Sequence, residues 1–287
     1  MKWLILGSGG MLGRALREMA EASGVALTAW TRSDLDFATP AAGWPALPVG
    51  VTHVVNAAAY TDVDGAETDA EHANRINGQA LADLSGWCAA AGATLVHYST
   101  DYVFAGNASS PYATDAPRDP LNAYGRSKAI GEAALEAGPA SYLCLRTSWL
   151  YAPWGNNFVC TMRRLMSQRD ALNVVDDQLG RPTSAVHLAE QTRDLLAARV
   201  TGMQHACDGG TCSWFEFAGH IARRVGFAGE LTPCTSEQFV RPANRPAYSV
   251  LDLTRTEAAI GPRPHWTRCL DDALAAEDAL SPAVAES

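Results

Sequence analysis

A short apolar run, Lys2–Leu6, leads directly into Gly7-Ser8-Gly9-Gly10-Met11-Leu12-Gly13, and a helical pattern follows from about Met11 to Ala22. Gly7, Gly10 and Gly13 fall three apart, a GxxGxxG spacing. A strand that ends on such a loop and re-enters a helix has few folds open to it. Glycine permits the tight turn. It also lets backbone N–H groups and the helix N-terminus come close to a pyrophosphate. Glycine turns before helices are common, so the motif alone is weak. At the first strand of a βαβ unit it points to dinucleotide binding.

The pattern downstream agrees. Further apolar runs at Ala26–Thr31, His53–Ala58, Thr94–Ser99 and Ser141–Thr147 alternate with helical periodicity over about Asp69–Ala91 and Tyr124–Ala137. Strands alternating with helices predict a parallel sheet, and continuous apolarity predicts strands buried on both faces. The expected fold is α/β, a Rossmann-like doubly wound parallel sheet with a smaller, mostly C-terminal substrate domain. Residues 1–150 form the expected dinucleotide-binding domain, with a return to the sheet near 187–208. Residues 151–287, punctuated by Pro153, Gly155, Pro182, Pro233, Pro242 and Pro246, form mainly the substrate domain. The tail Ala279–Ser287 reads as a frayed end.

Composition excludes several classes of function. The net charge of −9 is wrong for a nucleic-acid binder, although local arginines still suit a phosphorylated ligand. No apolar run is long enough to predict a membrane span. The seven cysteines are scattered and form no CxxC pair, so no metal site is expected and reduced thiols in a cytoplasmic protein are the simpler reading.

Two further patterns carry chemistry. Tyr124 and Lys128 stand four apart at the start of a helix and so share a face. A nearby ammonium lowers a phenol's pKa, which predicts Tyr124 as a general acid assisted by Lys128. Thr100, at the end of the preceding strand, is the expected third catalytic member, donating to the substrate oxygen, and Asp101 is suited to sugar hydroxyls. Either could instead cap the following turn. At the end of the second strand Arg32 replaces the usual acidic residue, which favours a 2′-phosphate and hence NADPH. Asp34 and Asp36 keep NADH open, and Arg32 could equally be a solvated surface residue.

Taken together, the glycine loop, the Thr100 hydroxyl and the Tyr124/Lys128 pair resemble the extended short-chain dehydrogenase/reductase superfamily. The segments Asn56–Glu67, His97–Phe104, Arg146–Tyr151, Asn157–Met162, Asp177–Thr183, Cys212–Ala218 and Arg245–Ser249 are similar to blocks of the dTDP-4-dehydrorhamnose reductases. The resemblance implies reduction of the C4 ketone of dTDP-4-dehydro-L-rhamnose to dTDP-L-rhamnose. By motif it places Gly10, Met11, Leu12, Asp36, Phe37, Ala58, Ala59, Tyr60, Tyr124 and Lys128 against the cofactor. Thr100, Asp101, Val63 and Trp149 fall against the sugar, the last two as apolar surface or as ordinary core. It also leaves open a homodimer and Mg2+ held by acidic residues, for which this sequence offers no identifiable ligands. Ala105, Thr114, Ser184 and His187 depart from the family pattern and bear on sugar recognition. Three alternatives remain: a reductase of another 4-keto nucleotide sugar, an epimerase or dehydratase on the same scaffold, or a non-catalytic NADP-binding regulatory subunit similar to the beta subunit of methionine adenosyltransferase.

Overall fold

The computed structural model describes residues 1–280. The first half runs β1 (Lys2–Leu6), α1 (Met11–Ala22), β2 (Ala26–Trp30), β3 (His53–Asn56), α2 (Gly65–Thr68), α3 (Ala70–Asn74), α4 (Ala80–Ala90), β4 (Thr94–Thr100), α5 (Ala123–Ala137) and β5 (Tyr142–Thr147). The second half runs β6 (Leu150–Tyr151), α6 (Phe158–Met166), β7 (Ala171–Val175), β8 (Leu179–Gly180), β9 (Thr183–Ser184), α7 (Ala185–Ala197), β10 (Gly202–His205), β11 (Cys212–Ser213), α8 (Trp214–Val225), β12 (Glu230–Cys234), α9 (Thr254–Ile260) and α10 (Trp266–Leu280). Ala279 and Leu280, expected to belong to a frayed end, are instead the last residues of α10, and the rest of that tail lies outside the described residues.

Six strands form one parallel sheet in the order β10-β5-β4-β3-β1-β2. Alternation along β1 shows why both faces are apolar. Trp3 and Ile5 enter one core with Leu12, Leu16 and Met19 of α1 and Leu188 and Leu195 of α7. Leu4 and Leu6 enter the opposite core with Leu81 and Leu84 of α4 and Leu135 of α5. Each such fully buried side chain contributes roughly 1.5–3 kcal/mol. A third core joins α6, β7, α8 and α10 around Phe217 and Leu270.

The chain leaves β1 toward β2 on one side and returns to β3 on the other. The loops after β1 and β3 therefore diverge and open a crevice at the carboxyl edge, where doubly wound sheets bind ligands. The predicted single helix over Asp69–Ala91 is interrupted: Arg75–Gln79 between α3 and α4 is a π-helical turn. The turn packs closely on α5. A Cβ on Gly131 of α5 would sit 2.1 Å from the Asn77 carbonyl oxygen, so α5 approaches this turn at backbone distance. Such turns often mark functional regions.

Candidate active site

The glycine loop is shaped by contacts that exclude side chains. Gly7 has φ +73, and a Cβ there would lie 2.7 Å from the Ala58 nitrogen in the loop after β3. A Cβ on Gly13 would lie 2.1 Å from the Gly7 carbonyl oxygen, whereas Gly9 faces open space. Helix α1 has no side-chain cap and no acidic residue in its first turn, so its N-terminal dipole is uncompensated within the protein. A cradle lined by backbone N–H groups and closed to side chains fits a dinucleotide pyrophosphate. Gly13→Ala is expected to weaken NADPH binding about tenfold or more. The helix-propensity gain of about 1 kcal/mol is smaller than the overpacking cost of about 1–3 kcal/mol. Calorimetric titration with NADPH checks this, and unchanged affinity would mean the loop relaxes freely.

The other expected cofactor residues divide into two groups. Met11 is half-buried, with its carbonyl accepting from the Trp154 indole at 3.1 Å. Leu12 and Phe37 are buried, Phe37 with its ring 5.7 Å from that of Trp44, so their side chains serve the core. Ala58, Ala59 and Tyr60 stay half-exposed beside the loop. Arg32 is 73% exposed and bonds to Asp36 at 3.2 Å. Asp34 is occupied by the Thr31 amide and hydroxyl, which hold its carboxyl below the usual range.

Tyr124 and Lys128 share a face of α5, and the helix start is fixed from three directions. The Asn122 side chain accepts from Gly125 N–H at 2.8 Å, and its own amide donates to the Asn244 carbonyl at 2.8 Å. Glu67 accepts from Ala123 N–H at 2.7 Å. The Thr100 hydroxyl donates to Asp101 Oδ1 at 2.9 Å and is also a hydrogen-bond partner of the Tyr124 phenol. Phenol, hydroxyl and carboxylate thus form a chain at the end of β4. Burial pushes the Asp101 carboxyl up to about 6, with the nearby Ser249 and Thr100 hydroxyls opposing it.

The electrostatics differ from the sequence expectation in one respect. Burial, with the Asp101 charge adding to it, raises the Tyr124 phenol well above its ordinary value, and Thr100 opposes. Lys128 does not offset this because its Nζ is turned to the Tyr98 carbonyl at 2.6 Å and His97 Nε2 at 2.9 Å. Burial pulls the Lys128 ammonium down to about 8.

Three residues that the sequence reading did not single out organise this arrangement. Asn56 Oδ1 accepts from Ala58 N–H at 3.0 Å, which leaves its Nδ2 to donate to His97 Nδ1 at 3.1 Å. Asn77 bonds the Tyr60 backbone through both ends of its amide, each at 2.9 Å, and donates to Ser127 between Tyr124 and Lys128. It therefore locks the loop after β3 to the Tyr124 helix.

Trp149 sits between β5 and β6 with φ +48 and stacks on Trp214 at 3.6 Å between ring centroids. A Cβ on Gly180 would collide with the Trp149 ring at 2.5 Å, so that glycine admits the indole. Val63 is half-buried, next to Asp64, which accepts from Arg245 at 3.1 Å and pairs with Arg241. Within the chain, the one group of three metal-ligating side chains among the described residues is His187, Asp208 and Cys269, which is not an all-acidic set.

A glycine loop at the switch point of a doubly wound sheet, with a Tyr-x-x-x-Lys helix beside a strand-end threonine, defines a short-chain dehydrogenase/reductase. The sequence profile of the RmlD substrate binding domain matches residues 1–278. A dTDP-4-dehydrorhamnose reductase from Streptomyces griseus is 40% identical, covering 96% of this chain and 93% of its own. The structure of a dTDP-4-dehydrorhamnose reductase from Clostridium acetobutylicum superposes with TM-score 0.90 at 36% identity, over 96% of this chain and 99% of its own. That of a dTDP-4-dehydrorhamnose reductase from Bacillus anthracis in complex with NADP gives TM-score 0.89 at 31% identity, over 96% and 99%. The chain belongs to the dTDP-4-dehydrorhamnose reductase family and is an oxidoreductase. No described helix is long and apolar enough to cross a membrane.

Proposed function

We propose that this protein reduces the C4 ketone of dTDP-4-dehydro-L-rhamnose to dTDP-L-rhamnose, with NADPH as the reductant. The observation that carries this reading is the Tyr124–Thr100–Asp101 chain at the carboxyl edge of β4, beside the glycine cradle. Gly7, Gly10, Gly13 and the α1 N-terminus would hold the pyrophosphate. Arg32 would meet the 2′-phosphate, in competition with its bond to Asp36. The NADP complex of the Bacillus anthracis relative supports the phosphorylated dinucleotide. When bound, the cofactor supplies a hydride to the ketone carbon.

The residues of the chain supply the rest. Tyr124, its phenol kept protonated through neutral pH by burial, delivers a proton to the ketone oxygen. The Thr100 hydroxyl can donate to the phenolate once that proton has left. Lys128 brings positive charge to the same helix face and would reach the ribose. Trp149, braced on Trp214, and Val63 offer apolar surface to the deoxysugar, and Asp101 offers an acceptor for its hydroxyls.

The test is loss of reduced-nicotinamide absorbance with dTDP-4-dehydro-L-rhamnose, run with NADPH and with NADH. Rapid oxidation, faster with NADPH, is the expected result. A folded protein that oxidises neither would discard this substrate. Turnover of a different 4-keto nucleotide sugar instead would keep the reaction class and replace the sugar.

A pH dependence follows from Lys128. kcat/KM reports ionisations of the free enzyme. The ammonium is the charged form below about 8 and is lost above it, so kcat/KM for NADPH is expected to fall as pH rises through about 8. Lys128→Arg should abolish that break. A wild-type profile flat through this range would remove Lys128 charge from the mechanism.

A further inference from the structure

Three side chains from separate segments converge behind the sheet edge. His187 lies in the first turn of α7, Asp208 follows β10, and Cys269 lies near the start of α10. One ligand atom from each lies within 4.8 Å of the other two. Asp208 and Cys269 are buried, and His187 keeps a fifth of its side chain exposed, leaving a path to solvent. His187 Nδ1 and Asp208 Oδ1 stand 3.4 Å apart, and neither has a well-formed hydrogen bond. The Tyr151 hydroxyl, buried within range of the Asp208 charge, also lacks a partner.

We propose that His187 Nδ1, Asp208 Oδ1 and Cys269 Sγ bind a zinc ion through three protein ligands. Mixed imidazole, carboxylate and thiolate donors suit zinc. Two donor atoms each about 2.0–2.1 Å from a tetrahedral ion stand about 3.4 Å apart, the separation found for His187 and Asp208. One carboxylate and one thiolate balance the charge of Zn2+, which removes the objection to burying a lone Asp208. On binding, the Cys269 thiol gives its proton to solvent, neutral His187 donates a lone pair, and water fills the fourth position.

The donors are held in place by other bonds. Asp208 Oδ2 accepts from Ser184 N–H at 2.8 Å, which ties the carboxylate to the start of α7. Gly209 N–H donates to the Pro264 carbonyl at 2.7 Å and Trp266 N–H to the Gly209 carbonyl at 2.9 Å, which ties the same loop to α10. The ion would staple α10 of the third core to the edge of the main sheet.

The test uses full-length protein grown with added zinc and dialysed against metal-free buffer. About one zinc per chain is expected by elemental analysis. Chelator-stripped protein titrated with cobalt(II) should develop a thiolate-to-cobalt charge-transfer band, and Cys269→Ser should lose that band while keeping its turnover. His187→Asn should weaken cobalt binding about tenfold or more. Folded wild-type protein with neither zinc nor the band would reduce the cluster to a His–Asp ion pair beside a thiol. A band that survives in Cys269→Ser would assign it to another thiol. If the variants fail to fold, the wild-type zinc content and cobalt titration decide alone.

Discussion

Replacing Tyr124 with phenylalanine is expected to lower kcat by about 10²- to 10⁴-fold, or about 3–5 kcal/mol of transition-state stabilisation, while the protein stays folded and binds NADPH. The ring is retained, so its edge-to-face packing on Tyr102, 6.0 Å between centroids, survives. Only the hydroxyl is removed, and the group that acts on it is the Thr100 hydroxyl of the buried Thr100–Asp101 pair. Little stability rests on that one bond, about 0.5–1.5 kcal/mol by the usual worth of a neutral hydrogen bond. Chemistry and folding are therefore separable at this position. Single-turnover kinetics at saturating NADPH read the chemical step directly. A kcat within about twofold of wild type would take the proton donor away from Tyr124. Thr100→Val should lie between the two, because the phenol keeps its proton but loses the group that stabilises it afterwards.

How far the sequence discloses this site follows from how local each part is. The glycine loop was legible because its spacing is local: Gly13 is glycine on account of the Gly7 carbonyl, six residues away, although the approach of Ala58 to Gly7 could not be read. The Tyr124/Lys128 spacing was legible because one helix places both. The central strands β1, β3, β4 and β5 were legible because strands buried on both faces must be apolar throughout, whereas the apolar edge strand β2 is only partly buried. What could not be read was pairing across the fold. Asn77 looks like any polar helix residue until the π turn places it against Tyr60 and Ser127. His97 looks like a core histidine in an apolar strand, and only the order of β3 beside β4 sets it between Asn56 and Lys128. The direction of the Tyr124 shift was missed for the same reason. Helix spacing says that an ammonium is near, but not that its hydrogen bonds turn it toward the Tyr98 carbonyl. Phe37 shows the limit of motif transfer, since its position in the cofactor block coexists with a ring packed into the core. His187, Asp208 and Cys269 are too far apart in sequence to form a metal-ligand pattern, so the cysteine spacing gave no sign of them.

The largest loss of stability is expected at Glu132, which no motif marked. Its carboxylate is fully buried and accepts from Arg146 at 2.8 and 2.7 Å, from the Ser99 hydroxyl at 2.6 Å and from Arg118 at 3.2 Å. Burial pushes this carboxyl up, but the Arg146 guanidinium, Ser99 and Arg118 outweigh it and hold it below the usual glutamate range. The cluster joins α5 to β4 and β5 directly beneath Tyr124 and Thr100. Glu132→Ala leaves the Arg146 guanidinium, 2% exposed, without its counter-charge. Breaking a buried pair from one side costs about 3–5 kcal/mol, or a fall in Tm of about 10 °C for a chain of this size. Removing both charges is a different matter. Glu132→Leu with Arg146→Met should recover most of the loss, because well-packed apolar residues often match a buried pair. Acid sensitivity gives a second readout. A carboxyl depressed in the folded state contributes stability above its unfolded pKa, and that contribution fades as pH falls through the folded value. The stability of the wild type should therefore decline more steeply at acid pH than that of the double variant. Thermal melts from neutral to acid pH would measure both effects. A Glu132→Ala protein as stable as wild type would show that Arg146 finds solvent or Thr114 partners sufficient, and that the cluster positions α5 without holding the fold.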